Sequence, residues 1–206
     1  MRYEDLYNEW KNDPEKFWIN AAQNIDWIKF PSFALDSSNT PFYKWFPDGL
    51  VNTCYNAVDR HVIKGKGEKT AIIYDSAIRS VKEKITYSQL LERVTKFAHA
   101  MSNAGITKGD RVIIYMPMIP EAIVSMLACS RIGAIHSVVF GGFASNELAV
   151  RIDDAKPKAI IAGSCGIEPT GIIPYKPLLD KAIEQANHKP NFCIIFQRDE
   201  LQAPLV

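Results

Sequence analysis

The chain has 206 residues, 24 Lys and Arg against 23 Asp and Glu, and 47% hydrophobic residues. This is the makeup of one globular domain, or of a domain with an extension, and it excludes a disordered or low-complexity chain. The formal net charge is +1, without a long basic block, so a dedicated nucleic-acid binder is not expected. The longest uncharged run, Ile132 to Asn146, contains His136 and Ser137 and is too short and too polar to span a membrane.

Residues 1–50 carry all four Trp (Trp10, Trp18, Trp27 and Trp45) among many Phe and Tyr. Helical spacing is visible over Tyr3–Trp10 and Pro14–Gln23, with Asp13 as N-cap and Pro14 at the first helical position. After Asp26 the pattern dissolves into Pro31, Pro41, Pro47 and Gly49, as expected of a strap laid over a larger body. Asn52–Ile63 reads as a helix leading into the main domain. Thr70–Tyr74 and Lys84–Thr86 read as short strands with residues 75–83 as the loop between them. Thr86 N-caps a helix, with Gln89 as its capping-box partner, and that helix runs to Gly105.

The alternation continues with strands at Arg111–Met116, Ala134–Phe140, Ala159–Ala162 and Phe192–Phe196. Helices lie between them: Pro120 to Ile132, a short one capped by Ser145 and ending before Pro157, and Pro177–Ala186. The reading is an α/β fold with a doubly wound, mostly parallel sheet, its five strands alternating with helices from Thr86 onward. It divides the chain into an irregular helical N-terminal extension, 1–62, and an α/β domain, 63–206. About ten residues, Gln197–Val206, follow the last strand with no closing helix, which points to a truncated domain.

Cys54, Cys129, Cys165 and Cys193 have no C-x-x-C spacing and no neighbouring His, so they read as reduced thiols and not as zinc ligands. Met1-Arg2-Tyr3-Glu4-Asp5 puts acids early and lacks an apolar stretch, so it is neither a secretory signal nor a transit peptide. The expected location is cytoplasmic, and mitochondrial if Met1 is not the true start.

In open α/β sheets ligands bind beyond the carboxyl ends of strands. Three loops occupy that edge: Pro117–Ile119, Gly141–Ala144 and Gly163–Ile173. Phe140-Gly141-Gly142-Phe143 can bring backbone against a ligand at a helix start, or be a tight turn and nothing more. It is not a dinucleotide fingerprint. Gly65-Lys66-Gly67-Glu68-Lys69-Thr70 misses the phosphate-loop spacing and precedes a strand, so it reads as a solvated turn. Ala162-Gly163-Ser164-Cys165-Gly166 resembles a nucleophile elbow, but no helix follows directly and no partner His is recognisable, which argues against a serine hydrolase. Asp153 and Asp154 diverge by about 100° on one helix and read as solvated. His61, His99, His136 and His188 are scattered and read as structural. No catalytic constellation emerges from the residues themselves.

Three stretches are specific. Tyr115-Met116-Pro117-Met118-Ile119-Pro120-Glu121-Ala122, Leu127 through Ser137, and Val138-Val139-Phe140-Gly141-Gly142-Phe143 strongly resemble AMP-forming short-chain acyl-CoA synthetases. Phe17-Trp18, Ile25-Asp26-Trp27 and Trp45-Phe46 resemble that family's N-terminal extension. Asn52–His61, Arg151–Pro157 and Ile173–Lys176 are closer to the propionyl-CoA than to the acetyl-CoA synthetases.

The resemblance implies a ligase that adenylates a short-chain acid, acetate or propionate, with ATP and Mg²⁺, then passes the acyl group to CoA. It implies small-molecule substrates and neither nucleic acid nor membrane as partner. The family's phosphate loop, its nucleotide-binding acid and its C-terminal lysine have no counterpart here, so the chain looks like the N-terminal portion only. It is expected to be inactive alone and to need the missing C-terminal portion. No catalytic residue and no metal ligand is assigned. What the resemblance leaves is the CoA side: Phe140, Gly141, Gly142, Glu168, Pro169, Thr170, Gly171 and Ile173. Family members usually carry bases in that last loop. Glu168 stands there as in propionyl-type members, and Gly171 replaces a base, so weak CoA binding is expected. The alternative is a stand-alone, non-enzymatic module that binds CoA, a nucleotide or a protein partner.

Overall fold

A computed structural model describes residues 2–142 and 144–205, leaving Met1, Phe143 and Val206 outside the described residues. The chain divides into two compact units, residues 1–56 and 57–206.

The first unit opens with α1 (Tyr3–Asn12) and α2 (Pro14–Ala22). As expected, Asp13 caps α2: its Oδ1 accepts from the Lys16 N–H at 3.0 Å, and Pro14 occupies the first turn. The aromatic stretch then packs on itself. Trp18 meets Trp45 edge-on at 5.4 Å, Trp27 meets Phe46 at 5.5 Å, and the Trp27 indole donates to the Ala22 carbonyl at 2.8 Å. A two-residue pair, β1 (Leu35–Asp36) with β2 (Lys44–Trp45), holds the intervening turn. The helix read over 52–63 is drawn into wide π-type turns at Tyr55–Asp59 and Val62–Lys66, the second broken at Lys64 and Gly65.

The second unit contains a four-stranded parallel sheet in the order β10 (Phe192–Phe196), β7 (Ala159–Gly163), β5 (Arg111–Met116), β6 (Ile135–Phe140). The expected fifth strand belongs elsewhere. β4 (Val81–Thr86) pairs antiparallel with β3 (Thr70–Ser76), so most of the 75–83 loop is strand. Its burial alternates along the strand, which is the signature of a half-covered antiparallel ribbon and not of a parallel core strand. The loop read over 163–173 holds a second hairpin, β8 (Cys165–Glu168) with β9 (Gly171–Pro174).

Thr86 caps α3 (Tyr87–Asn103) with the full capping box, Gln89 N–H to Thr86 Oγ1 at 3.2 Å and Thr86 N–H to Gln89 Oε1 at 2.9 Å. α4 (Pro120–Ile132) stops at Gly133, whose φ is +76°. α5 (Ser145–Ala155) has Ala144 at its N-cap position, with no side-chain cap, and Ser145, expected to cap it, is its first residue. α6 (Tyr175–Gln185) begins two residues before the expected Pro177.

Val112 to Tyr115 on the central β5 are wholly buried. Ile113, Tyr115, Ile160 and Ala162 face α5 and α6 and pack with Leu148, Ile152 and Leu179. The alternate residues, such as Met116 and Ile161, face α3 and α4. Truncating any of these buried Leu or Ile residues to Ala costs roughly 2–5 kcal/mol. Polar pins lock the loops. Lys158 Nζ donates to the Gly105 carbonyl at 2.7 Å and to Asp110 at 2.8 Å, which with the Thr107 N–H holds the Asp110 carboxyl below its usual range. Arg131 reaches Asp59 at 2.6 Å. Asp153 is not merely solvated: it accepts from the His188 N–H at 2.8 Å and from Asn187 at 2.9 Å. All four cysteines are free thiols, three of them buried.

β10 is an edge strand, and the α3–α4 face of the sheet beside it is open. A groove of about 580 Å³ lies there over Ile161, Ile194 and Phe196, walled by Phe97 and Val124.

Candidate functional site

The strand order reverses between β5 and β7. Next to that switch is a cavity of about 420 Å³ between the ends of β5 and β6 and the β8–β9 hairpin. Its apolar wall is Met118, Val138 and Phe140, which are 84%, 50% and 66% exposed. Gly141 and Glu168 complete it, over Tyr175.

The turn at Phe140–Gly142 is built on glycine for two reasons. A Cβ on Gly141 would lie 2.8 Å from the Met116 carbonyl oxygen and 2.7 Å from the Tyr175 hydroxyl. Gly142 has φ +103°, which side chains rarely adopt. Beneath the turn, Tyr115 and Tyr175 lie ring to ring at 5.0 Å, and the Tyr115 hydroxyl accepts from the Gly142 N–H. Burial pushes the Tyr175 hydroxyl up to about 12, helped by the nearby Tyr115 and Glu168, so it stays protonated.

Of the residues expected on the CoA side, Phe140, Gly141 and Glu168 line the cavity. Gly142 stands beside them, its Cβ position 3.6 Å from Glu168 Oε1. Phe143 of the same motif lies outside the described residues. Pro169 and Thr170 form the exposed turn of the β8–β9 hairpin, and Ile173 packs against the core under α5 and α6. Gly171 has φ +137° with open space around it. A side chain at that position would carry backbone strain. Among the described residues, no Lys or Arg lines this cavity. The site can enclose a flat apolar body, and it offers one carboxylate and a phenol but no nucleophile with a base.

Tyr175 escaped the sequence reading. Helix periodicity starts at Pro177, and the hairpin arms that position Tyr175 are four residues each and rich in Gly, too short to show a strand pattern. The glycines at 141 and 166 were the available signal, since both absent Cβ positions fall on this one ring.

Ser164 is 1% exposed and fully engaged. Its hydroxyl donates to the Leu201 carbonyl at 2.7 Å and accepts from the Arg198 N–H at 2.9 Å. Arg198, itself 5% exposed, donates to the Cys165 carbonyl at 3.0 Å and faces Glu200, which also pairs with Arg79. A strand, not a helix, follows Ser164. Ser164→Ala is therefore expected to cost about 1–3 kcal/mol in urea unfolding, by stranding the buried Arg198 N–H and releasing the Leu201 carbonyl, while any esterase signal stays unchanged. Loss of an esterase signal at unchanged stability would refute this role.

Two families match the chain: "AMP-binding enzyme" over residues 59–204, and "Acetyl-coenzyme A synthetase N-terminus" over residues 3–57. Among curated relatives, the human "Acyl-CoA synthetase short-chain family member 3, mitochondrial" is 50% identical over 191 residues, covering 93% of this chain and 28% of the relative. The bovine protein of the same name is 52% identical over 186 residues, 90% of this chain and 27% of the relative. "Propionate--CoA ligase" of Escherichia coli is 46% identical over 198 residues, 96% of this chain and 31% of the relative. The chain thus spans less than a third of the length of these relatives.

Proposed function

We infer, because this chain belongs to the AMP-binding enzyme family and within it to the AMP-forming short-chain acyl-CoA synthetases, that it is the N-terminal portion of such a ligase. The complete enzyme would convert a short-chain carboxylate, ATP and CoA to acyl-CoA, AMP and pyrophosphate through an acyl-adenylate. Acetate and propionate are the candidate acids, and the name of the E. coli relative favours propionate. The observation that carries the reading is near-complete coverage of this chain at about half identity, against less than a third of each relative.

In this reading residues 1–62 are the synthetase-type extension, and 63–206 the first part of a doubly wound adenylate-forming domain. The chain supplies one wall of the CoA site through Phe140, Gly141, Gly142, the Glu168–Gly171 turn and Ile173. The residues present fit a CoA base better than its phosphates, because Glu168 would repel an anion and no basic residue lines the cavity among the described residues. ATP, Mg²⁺ and the acyl pocket belong to the portion of the enzyme that this chain does not match, and no residue here is assigned to them. No helix of the described residues is long and apolar enough to cross a membrane.

The reading is tested by the size of the native protein, from an immunoblot of a source extract with an antibody to Tyr43–His61. A band far above 23.2 kDa is expected. A sole band near that mass would instead favour a stand-alone module that binds CoA or a protein partner. That second reading draws support from residues 57–206, which enclose a continuous core of their own.

A further inference from the structure

Tyr115 carries a hydroxyl where packing alone asks for none. It lies on β5, the strand with parallel neighbours β6 and β7 on its two sides, and is wholly buried among Ile113, Val139, Leu148, Ile160 and Ala162. A phenylalanine would fill that space without the cost of desolvating an oxygen. The oxygen is matched by the Gly142 N–H, which donates to it from the turn after β6. Burial pushes the Tyr115 hydroxyl up from the ordinary tyrosine range, so it stays a neutral phenol.

That bond reaches the turn at its weakest point. Gly142 holds φ +103°, and glycine leaves such a conformation easily because no Cβ restricts it. Gly141 contributes no side chain either, since a Cβ there would lie 2.8 Å from the Met116 carbonyl oxygen. A turn made of two glycines is held from outside itself, and the Tyr115 hydroxyl holds it from below. Tyr115 does not line the cavity: its ring lies behind, 5.0 Å from the ring of Tyr175, which does.

We propose that Tyr115 is a positioning residue, whose hydroxyl fixes the Phe140–Gly142 turn in the form that the cavity presents to its ligand. The inference rests on the reading above that this cavity is a wall of the CoA site, and it adds a residue that touches no ligand. Its effect is preorganisation: a glycine turn already held in place loses less freedom when a ligand binds. Tyr115→Phe isolates that effect, because it keeps the ring with its packing and removes the hydroxyl alone.

The test is amide hydrogen exchange of the full 206-residue chain, followed by NMR, with CoA titration to millimolar concentration alongside. In the wild type the Gly142 amide should be protected. In Tyr115→Phe it should exchange at least about tenfold faster, while the amides of β5 and β7 keep their rates. CoA should bind the variant about fivefold more weakly, the worth of one neutral hydrogen bond. An unprotected Gly142 amide in the wild type, which is measured whether or not the variant folds, would overturn the proposal. Equal acceleration at Gly142 and across the sheet would also overturn it, and make the hydroxyl a stability group only. A loosened turn with unchanged CoA affinity would overturn the ligand role. No CoA binding by the wild type would overturn the reading of the cavity, whereas exchange at Gly142 decides separately whether Tyr115 sets the turn.

Discussion

Gly166→Ala is expected to cost the α/β unit about 3 kcal/mol, at the upper end of what overpacking does. The reason is space, not backbone conformation. A Cβ there would fall on the Tyr175 hydroxyl and lie 2.6 Å from Cζ and 2.7 Å from Cε1 of the ring. The ring yields only by giving up its packing: it is 2% exposed and lies against Tyr115, which is wholly buried. For a unit of this size the expected drop in Tm is on the order of 10 °C. Tyr175→Ala alone should cost about 3–5 kcal/mol through its cavity. The double variant is then the decisive measurement. Once the ring is gone the new methyl meets empty space, so the pair should cost at least about 1 kcal/mol less than the sum of the singles. Strict additivity would mean that the ring does not hold Gly166.

The 206-residue chain by itself is expected to form no acyl-adenylate. Acetate- or propionate-dependent exchange of pyrophosphate into ATP should stay at the buffer background. Adenylation places growing charge on phosphate oxygens, and a protein lowers that barrier with preorganised donors and metal. The stretch most like a phosphate cradle, Gly65–Thr70, is otherwise employed. Ser88 N–H donates to the Gly67 carbonyl at 3.0 Å, Tyr87 N–H donates to the Lys69 carbonyl at 3.0 Å, and a Gly67 Cβ would strike the Ser88 hydroxyl. It joins a helical turn to the start of β3 and α3. Exchange clearly above background would show that the chain carries an adenylation site of its own.

What was legible in the sequence was local. Asp13 before Pro14, Thr86 with Gln89, and Gly133 after Ile132 each act through groups within four residues, and each stands where the sequence puts it. β5 and β7 were equally clear, because a strand buried on both faces leaves an uninterrupted apolar run, as in Val112–Met116. Pairing was not local. Lys84–Thr86 announces a strand but not its neighbour, and its pairing with the strand read at Thr70–Tyr74 did not show because residues 75–83, most of which extend the two strands, were read as loop. The cavity shows the same divide. The Phe140–Gly142 turn could be found from its glycines, whereas Tyr175 reaches it only through a hairpin of four-residue arms. The role of Ser164 depends on Arg198 and Leu201, more than thirty residues away, and no spacing rule connects them.

The open side of β10 has a consequence for handling the protein. Phe192-Cys193-Ile194-Ile195-Phe196 is an uncharged, proline-free window with one ladder made and the other unmade. Such an edge is a template: a second molecule can add its own strand there, and a third can follow. The hazard grows with concentration and is greatest while the molecule is only partly folded. Dilute refolding, or a charge placed on that strand, would then decide whether the chain is recovered as single molecules or as precipitate.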